Sequence, residues 1–366
     1  MAVTINADNG VSSGSAGLKQ TADSTGVLAL QTNGTTAVTV DTSQNVTLAG
    51  NLTTTGYANI PNNFGFKNRI INGDIRVWQR GTSGTSVAVG VYGPDRWRVG
   101  GGNALTLTQS TSYGTPYSLL IQATGTNHVI GQRIEALNIQ DLAGQTVTLS
   151  YKIRADNSGT HKLLMYYAGT TNDFSAEVNF VNAAISYTSN TVTTITYTTT
   201  LPANAANGLD IVFQWYNGGA SISITAFIWD VQLEAGPTAT SFDRLSIGTE
   251  LALCQRYCFA LISTGANNST FVGGWRPATS AVQTSIPFPV VMRTTPTTSV
   301  PAGNNSWSVE DGFNPYTGTP STVNPNPYNV TLSIPASTPT FASGYAPMIH
   351  MFAASGSVCL LASAEL

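Results

Sequence analysis

Thr146-Val147-Thr148-Leu149-Ser150-Tyr151 alternates polar and apolar side chains at a strict period of two, and two later runs carry the same texture. These are Lys162-Leu163-Leu164-Met165-Tyr166-Tyr167 and Asp210-Ile211-Val212-Phe213-Gln214-Trp215. A period of two sends successive side chains to opposite faces of a strand, so each run offers one face to a core and one to solvent. Working outward, Ala104 through Thr108, Thr191 through Thr199 and Ser221 through Gln232 repeat the pattern, with Gly, Asn, Pro or Asp between them. Strands at such intervals predict an antiparallel two-sheet sandwich over residues 61–245.

The flanks read differently. Residues 1–60 hold one lysine, Lys19, and pair their apolar residues two apart: Leu28 with Leu30, Val38 with Val40, Val46 with Leu48. Strands this short bury too little to offset their ordering entropy alone. The expectation is a thin docking stem completed by other copies of the chain. Near residue 248, Gly248-Thr249-Glu250-Leu251 opens a predicted helix in which Leu251, Cys254, Cys258 and Leu261 recur at helical spacing and Thr249 is placed to cap. That helix, 246–262, is expected to link the sandwich to a second, smaller β domain over 263–366, where Val282 through Ile286, Asn329 through Ile334 and Gly356 through Leu361 alternate again. The fold class is therefore all-β.

Composition excludes several functions. Charged residues make up 9% of the 366, against about 25% in an average domain, and the formal net charge is −3. A protein living on phosphate attraction is excluded, and the Lys67–Arg98 block of cations with Trp78, Tyr92 and Trp97 reads as arginines stacked on rings and paired with Asp74 and Asp95. No apolar run approaches the ~18 residues of a membrane span, and Met1 through Asn6 lacks a basic region and apolar core, so a chain made in the cytosol without membrane insertion is expected. Three cysteines, Cys254, Cys258 and Cys359, point to buried thiols.

Catalytic constellations are sparse. His128, His161 and His350 each stand alone, and the one Gly-x-Ser-x-Gly match, Gly10 through Gly14, lacks a strand before it and a helix after it. Asp173, Glu177, Asp210, Asp230, Glu234, Glu310 and Asp311 are the carboxylates from which a glycosidase pair could come. Aromatic residues in loops are the better resource. A sugar ring is held by a flat aromatic surface plus amide or carboxylate hydrogen bonds. Trp275, Trp307, Tyr316, Tyr328 and Tyr345, set among Gly, Asn and Pro in a region without lysine, form the predicted glycan platform.

Some residues resemble a known family. Asn68-Arg69-Ile70-Ile71-Asn72-Gly73-Asp74, Val77-Trp78-Gln79-Arg80-Gly81 and Pro94-Asp95-Arg96-Trp97 look like the opening of the jelly-roll module of bacteriophage tail fibre proteins. Ile228 through Gly236, with Ala239 through Phe242, is similar to the last strand of carbohydrate-binding-module-like sandwiches, and Glu250 through Tyr257 resembles the join to a fibre tip. The resemblance implies a homotrimeric virion appendage that docks on other phage tail proteins through its N-terminal segment. It would bind host surface polysaccharide or lipopolysaccharide without catalysis. It also implies a structural calcium flanked by Asp74 and Asp230, although Ile75-Arg76 stands where a further acidic residue is usual. Two rival readings share this texture: a capsid head fibre or decoration protein, and a tailspike-type polysaccharide depolymerase. A bacterial glycan-binding protein is a third.

Overall fold

The computed structural model describes residues 27–32, 35–43, 45–49, 66–81, 85–114, 116–263, 269–278, 281–301, 307–310, 315–317, 320–335, 347–351 and 357–366. The chain divides into two compact units, 1–63 and 64–366. In the first, β1 (Leu28–Thr32), β2 (Thr35–Val40) and β3 (Val46–Leu48) make an antiparallel meander. Leu30 lies opposite Val38 and Val38 opposite Leu48, while Leu28, Val40 and Val46 form the next row. Residues directly opposite share a face, so all six apolar side chains gather on one side. Leu30, Val46 and Leu48 are exposed there. The short strands foreseen from sequence thus pair within the chain yet leave half of their apolar face exposed, with Leu28, Val38 and Val40 half-buried.

The second unit opens with the sandwich: β4 (Thr85–Val87), β5 (Arg98–Gly101), β6 (Leu105–Ser110), β7 (Ser118–Gly125), β8 (Asn127–Glu135), β9 (Thr146–Ala155), β10 (Gly159–Thr170), β11 (Asp173–Tyr187), β12 (Thr193–Thr200), β13 (Gly208–Tyr216) and β14 (Ile222–Ala235). One sheet runs β11-β10-β13-β8-β5 and the other β12-β9-β14-β7-β6-β4, a jelly roll with antiparallel neighbours throughout. Alternation does what the sequence predicts. On β13, Leu209, Ile211, Phe213 and Trp215 enter the core, where they meet Leu149, Tyr151 and Ile153 of the facing sheet. Asp210, Val212, Gln214 and Tyr216 take the other face by parity.

The Asn68–Asp74 motif is a clasp. Asn68 accepts from the Leu233 N–H at 3.0 Å and donates to the Val231 carbonyl at 3.0 Å, so an amide side chain takes over backbone pairing along β14. It does so where β14 is bulged between Trp229 and Gln232. Asn72, at φ 60°, exchanges hydrogen bonds with both backbone groups of Val77 and receives the Trp97 indole N–H on its own carbonyl at 2.9 Å. Gly73 is obligatory, since a Cβ there would sit 2.2 Å from the Val231 carbonyl oxygen.

The predicted helix is shorter than expected. α1 (Ile247–Gln255) begins after Ser246, not Thr249, and Cys258 and Leu261 belong to β15 (Cys258–Ile262). The spacing that read as helical breaks because Cys258 through Ile262 pairs with the last strand. Beyond β15 lie β16 (Ser269–Gly273), β17 (Trp275–Ala278), β18 (Ala281–Pro287), β19 (Thr297–Ser299), β20 (Trp307–Glu310), β21 (Pro315–Thr317), β22 (Ser321–Asn326), β23 (Asn329–Pro335), β24 (Met348–Met351) and β25 (Val358–Ser363). They form three small sheets, β15-β25-β19, β16-β24-β20-β21 and β17-β18-β23-β22, around a core of their own.

Where a linking helix is expected at 246–262, α1 is packed as a wedge against the clasp and against Leu366. Cys254 and Tyr257 pack with Ile71 and Val77 of the clasp, and the α1 carboxylate of Glu250 accepts from the Asn72 backbone. Glu365, after β25, is ion-paired to Arg80 and Arg96 inside the sandwich. Residues 64–366 therefore cohere as one body. The three cysteines are free and buried, and burial pushes the Cys254 and Cys258 thiols well above their ordinary range. Among the described residues no helix is long and apolar enough to cross a membrane.

Candidate functional site

On the outward face of the five-stranded sheet, β8, β10, β11 and β13 bring charged and aromatic groups together. Arg133 of β8 reaches Glu177 of β11 at 2.7 Å and Asp210 of β13 at 3.3 Å, with its guanidinium 4.7 Å over the Phe174 ring. Register explains the meeting. Arg133 is directly opposite Asp210, Asp210 is opposite Tyr166 of β10, and two residues along β10 Ala168 is opposite Glu177. A small depression of about 20 Å³ lies at this cluster, lined by Arg133 and Asp210 together with Arg98, Gly100, Val129, Gly131 and Val212. Gln214, two residues along β13, donates to Asn127 at 2.9 Å, and Tyr216 ends the row, half exposed with the Lys162 ammonium 5.9 Å from its ring.

Electrostatics tune the cluster. Burial, and then the Glu177 charge, push the Asp210 carboxyl up to about 7 against the pull of Arg133. Burial and the same two carboxylates raise the Tyr166 phenol. Near neutrality Asp210 can therefore either accept or donate a hydrogen bond, while Arg98 supplies donors and Tyr166 a ring; Arg133 is engaged by Asp210, by Glu177 and, through Nη1 at 3.0 Å, by the Leu366 carbonyl. From Asp210 to Tyr216 the row spans roughly 20 Å, six residues of strand.

The sequence-predicted platform fares otherwise. Trp307 is fully buried in the core of the C-terminal sheets, so it is corrected from ligand contact to core residue. Trp275 on β17 is 47% exposed and Tyr328, in the β22–β23 turn, 64%. The structure does not draw these two together: Trp275 pairs with Gln283, whereas Tyr328 precedes Asn329, the partner of Pro287, four residues further along β18. Tyr316 lies on β21, and nothing is described of its side chain; Tyr345, like the Gly10–Gly14 match, lies outside the described residues. Of the carboxylates, Glu177 and Asp210 are brought onto one arginine. No sequence signal could have paired them, because the pairing depends on which strands become neighbours.

The implied calcium site does not fit its residues. Arg76 pairs with Asp74 at 2.6 Å, Lys152 with Asp230 at 2.8 Å, and Arg244 touches both aspartates at 3.4 and 3.3 Å. Guanidinium occupies the place between the two carboxylates, where calcium would need six to eight oxygens. Among the described residues no group of three or more His, Cys, Asp or Glu could hold a metal ion. The Arg-rich block does as its sequence predicts: Arg80 pairs with Asp95 at 3.4 Å and Arg96 stacks 3.6 Å over Tyr257.

Fold and site define a jelly-roll β-sandwich with a polar, aromatic-ended sheet face. Solved structures that match part of the chain include carbohydrate-binding modules. The CBM22-2 xylan-binding domain of Xyn10C from Paenibacillus barcinonensis is 19% identical, covering 38% of this chain and 92% of its own, with a TM-score of 0.31. The C-terminal family 22 module of Clostridium thermocellum Xyn10B is 15% identical over 46% of this chain and 98% of its own, TM-score 0.32. The N-terminal cellulose-binding domain of Cellulomonas fimi β-1,4-glucanase C is 20% identical over 40% and 93%, TM-score 0.29. No protein-family model and no curated protein sequence matches the chain.

Proposed function

We propose that this chain is a non-catalytic attachment protein that holds a surface glycan on the outward face of its five-stranded sheet, as a homotrimeric bacteriophage tail fibre does. The observation that carries the reading is the meeting of Arg133, Glu177, Asp210 and Tyr166 at a small depression on an otherwise lightly charged protein. Such a face offers fixed donors and acceptors along a strand row, which suits a sugar chain lying across it. The virion setting is supported by the resemblance of the clasp and closing-strand motifs. Multivalency would then follow from the half-exposed apolar face of the meander, with several copies adding weak contacts through high local concentration.

A second reading rests on Asp210 itself. A carboxyl pushed up by burial and by Glu177, on the same face as that second carboxylate, is what a depolymerase acid requires. Arg133 argues against it, because it ties both carboxylates to one cation. One experiment separates the two. The purified chain is incubated with host capsule or lipopolysaccharide, and both retained protein and released reducing ends are measured. Retention without release, lost in Arg133→Ala, supports attachment; release of oligosaccharide overturns it in favour of the depolymerase.

A further inference from the structure

At the end of the sandwich where β13 finishes, the β9–β10 and β13–β14 turns border a half-open pocket of about 300 Å³. It lies at the small end of the range in which small-molecule pockets fall, with room for one ring. Its lining is wholly uncharged: rings from Tyr187 and Tyr216 with the buried Trp215 beneath them, amides from Asn157 and Asn217, hydroxyls from Ser158, Thr160 and Ser223, and the apolar Ile222 and Ile224. The sheet face carries two arginines and two carboxylates, so the two surfaces select different chemistry.

The rings are fixed from beneath. The Trp215 indole N–H donates to the Tyr187 hydroxyl at 3.2 Å, and this leaves the Tyr187 proton to be donated elsewhere. His161, buried under both rings, lies 5.8 Å from Tyr187 and 5.5 Å from Trp215, and its Nε2 meets the Tyr151 hydroxyl at 2.6 Å. Gly159 makes room for Tyr187, since a Cβ there would come 3.1 Å from the phenolic oxygen. Preorganised rings with a donor to spare and amides at the rim match a molecule that has apolar C–H faces and a girdle of hydroxyls.

We propose that this pocket binds one uncharged pyranose unit, so that the protein recognises a neutral sugar residue at a site that adjoins the sheet-face row only at Tyr216 and shares none of its charged residues. The proposal does not depend on the sheet-face reading, and its test keeps them apart. Methyl glycosides of glucose, galactose, mannose and rhamnose, with methyl glucuronide as the anionic control, are titrated into the full chain by calorimetry and saturation-transfer NMR. The variants are Gly159→Val, which crowds Tyr187, and Asp210→Asn, which alters only the sheet face; far-UV circular dichroism checks that both fold. At least one neutral glycoside is expected to bind one site, with about tenfold weaker binding in Gly159→Val and unchanged binding in Asp210→Asn. Binding confined to the glucuronide, binding that survives Gly159→Val, or no binding by any of the four would overturn it. Failure of polysaccharide retention with methyl glycoside binding intact would refute the sheet-face reading alone.

Discussion

Arg80 and Glu365 meet at 2.9 Å across 285 residues of sequence, the guanidinium supplied by the loop before β4 and the carboxylate by the segment after β25. Arg96 shares the same carboxylate, and both Glu365 and Arg96 are nearly inaccessible. Breaking a buried pair from one side strands the opposite charge, which costs about 3–5 kcal/mol. Glu365→Ala is therefore expected to lower the denaturation midpoint of residues 64–366 as one transition. Urea denaturation followed by tryptophan fluorescence checks it; two separate transitions in the wild type would contradict the single-body fold.

Stability should respond to pH through two groups of opposite sign. Burial lowers the His161 imidazole from 6.5 to about 3, so the stability tied to its neutral form is present above 6.5 and is lost as pH falls towards 3. Asp210 is raised from 3.8 to about 7, so its contribution is present below 3.8 and is lost as pH rises through 7. Between pH 4 and 6.5 the native chain holds a proton on Asp210 while the unfolded chain holds one on His161, and the two slopes cancel. Asp210→Asn should uncover a loss on acidification, and His161→Gln a loss on raising the pH, each about 1.4 kcal/mol per pH unit. Calorimetric melting at half-unit steps between pH 4 and 7 reads both.

Two tryptophans that look alike in sequence should behave oppositely. Trp307, flanked by polar residues, reads as a loop ring, yet β20 turns it into the core. Trp307→Ala should cost about 3–5 kcal/mol, while Trp275→Ala, at a half-exposed position, should change stability by less than about 0.5 kcal/mol. Thermal melting of the two variants decides it.

These cases mark what sequence carries. The sandwich was legible because period-two alternation in β9, β12 and β13 is long enough to be unambiguous. At Cys258 and Leu261 the spacing fits a helix continued from Leu251 and Cys254 as well as a new strand, and only pairing with β25 decides. The clasp motif was visible as a motif, but Asp74 and Asp230 read as metal ligands until Arg244, 170 residues from Asp74, was seen between them. Glu177 and Asp210 were visible as carboxylates; their joint hold on Arg133 depends on strand order, which no local pattern encodes. The end cavity had no signal, since Tyr187 and Gly159 matter only through each other.

The meander in residues 28–48 carries the last prediction. Its six apolar side chains share one face, and Leu30, Val46 and Leu48 are 45%, 64% and 38% exposed. A three-stranded sheet gains little stability unless that face is covered. Copies of the same chain offer the matching apolar surface, and a closed symmetric arrangement would cover every face at once. Light scattering of the full chain is expected to report a trimer. Leu30→Lys combined with Val46→Lys should shift it to monomer while the melting of residues 64–366 stays unchanged, because those positions lie outside that unit. A wild-type monomer, or a trimer indifferent to both lysines, would remove the basis for multivalent attachment through this segment.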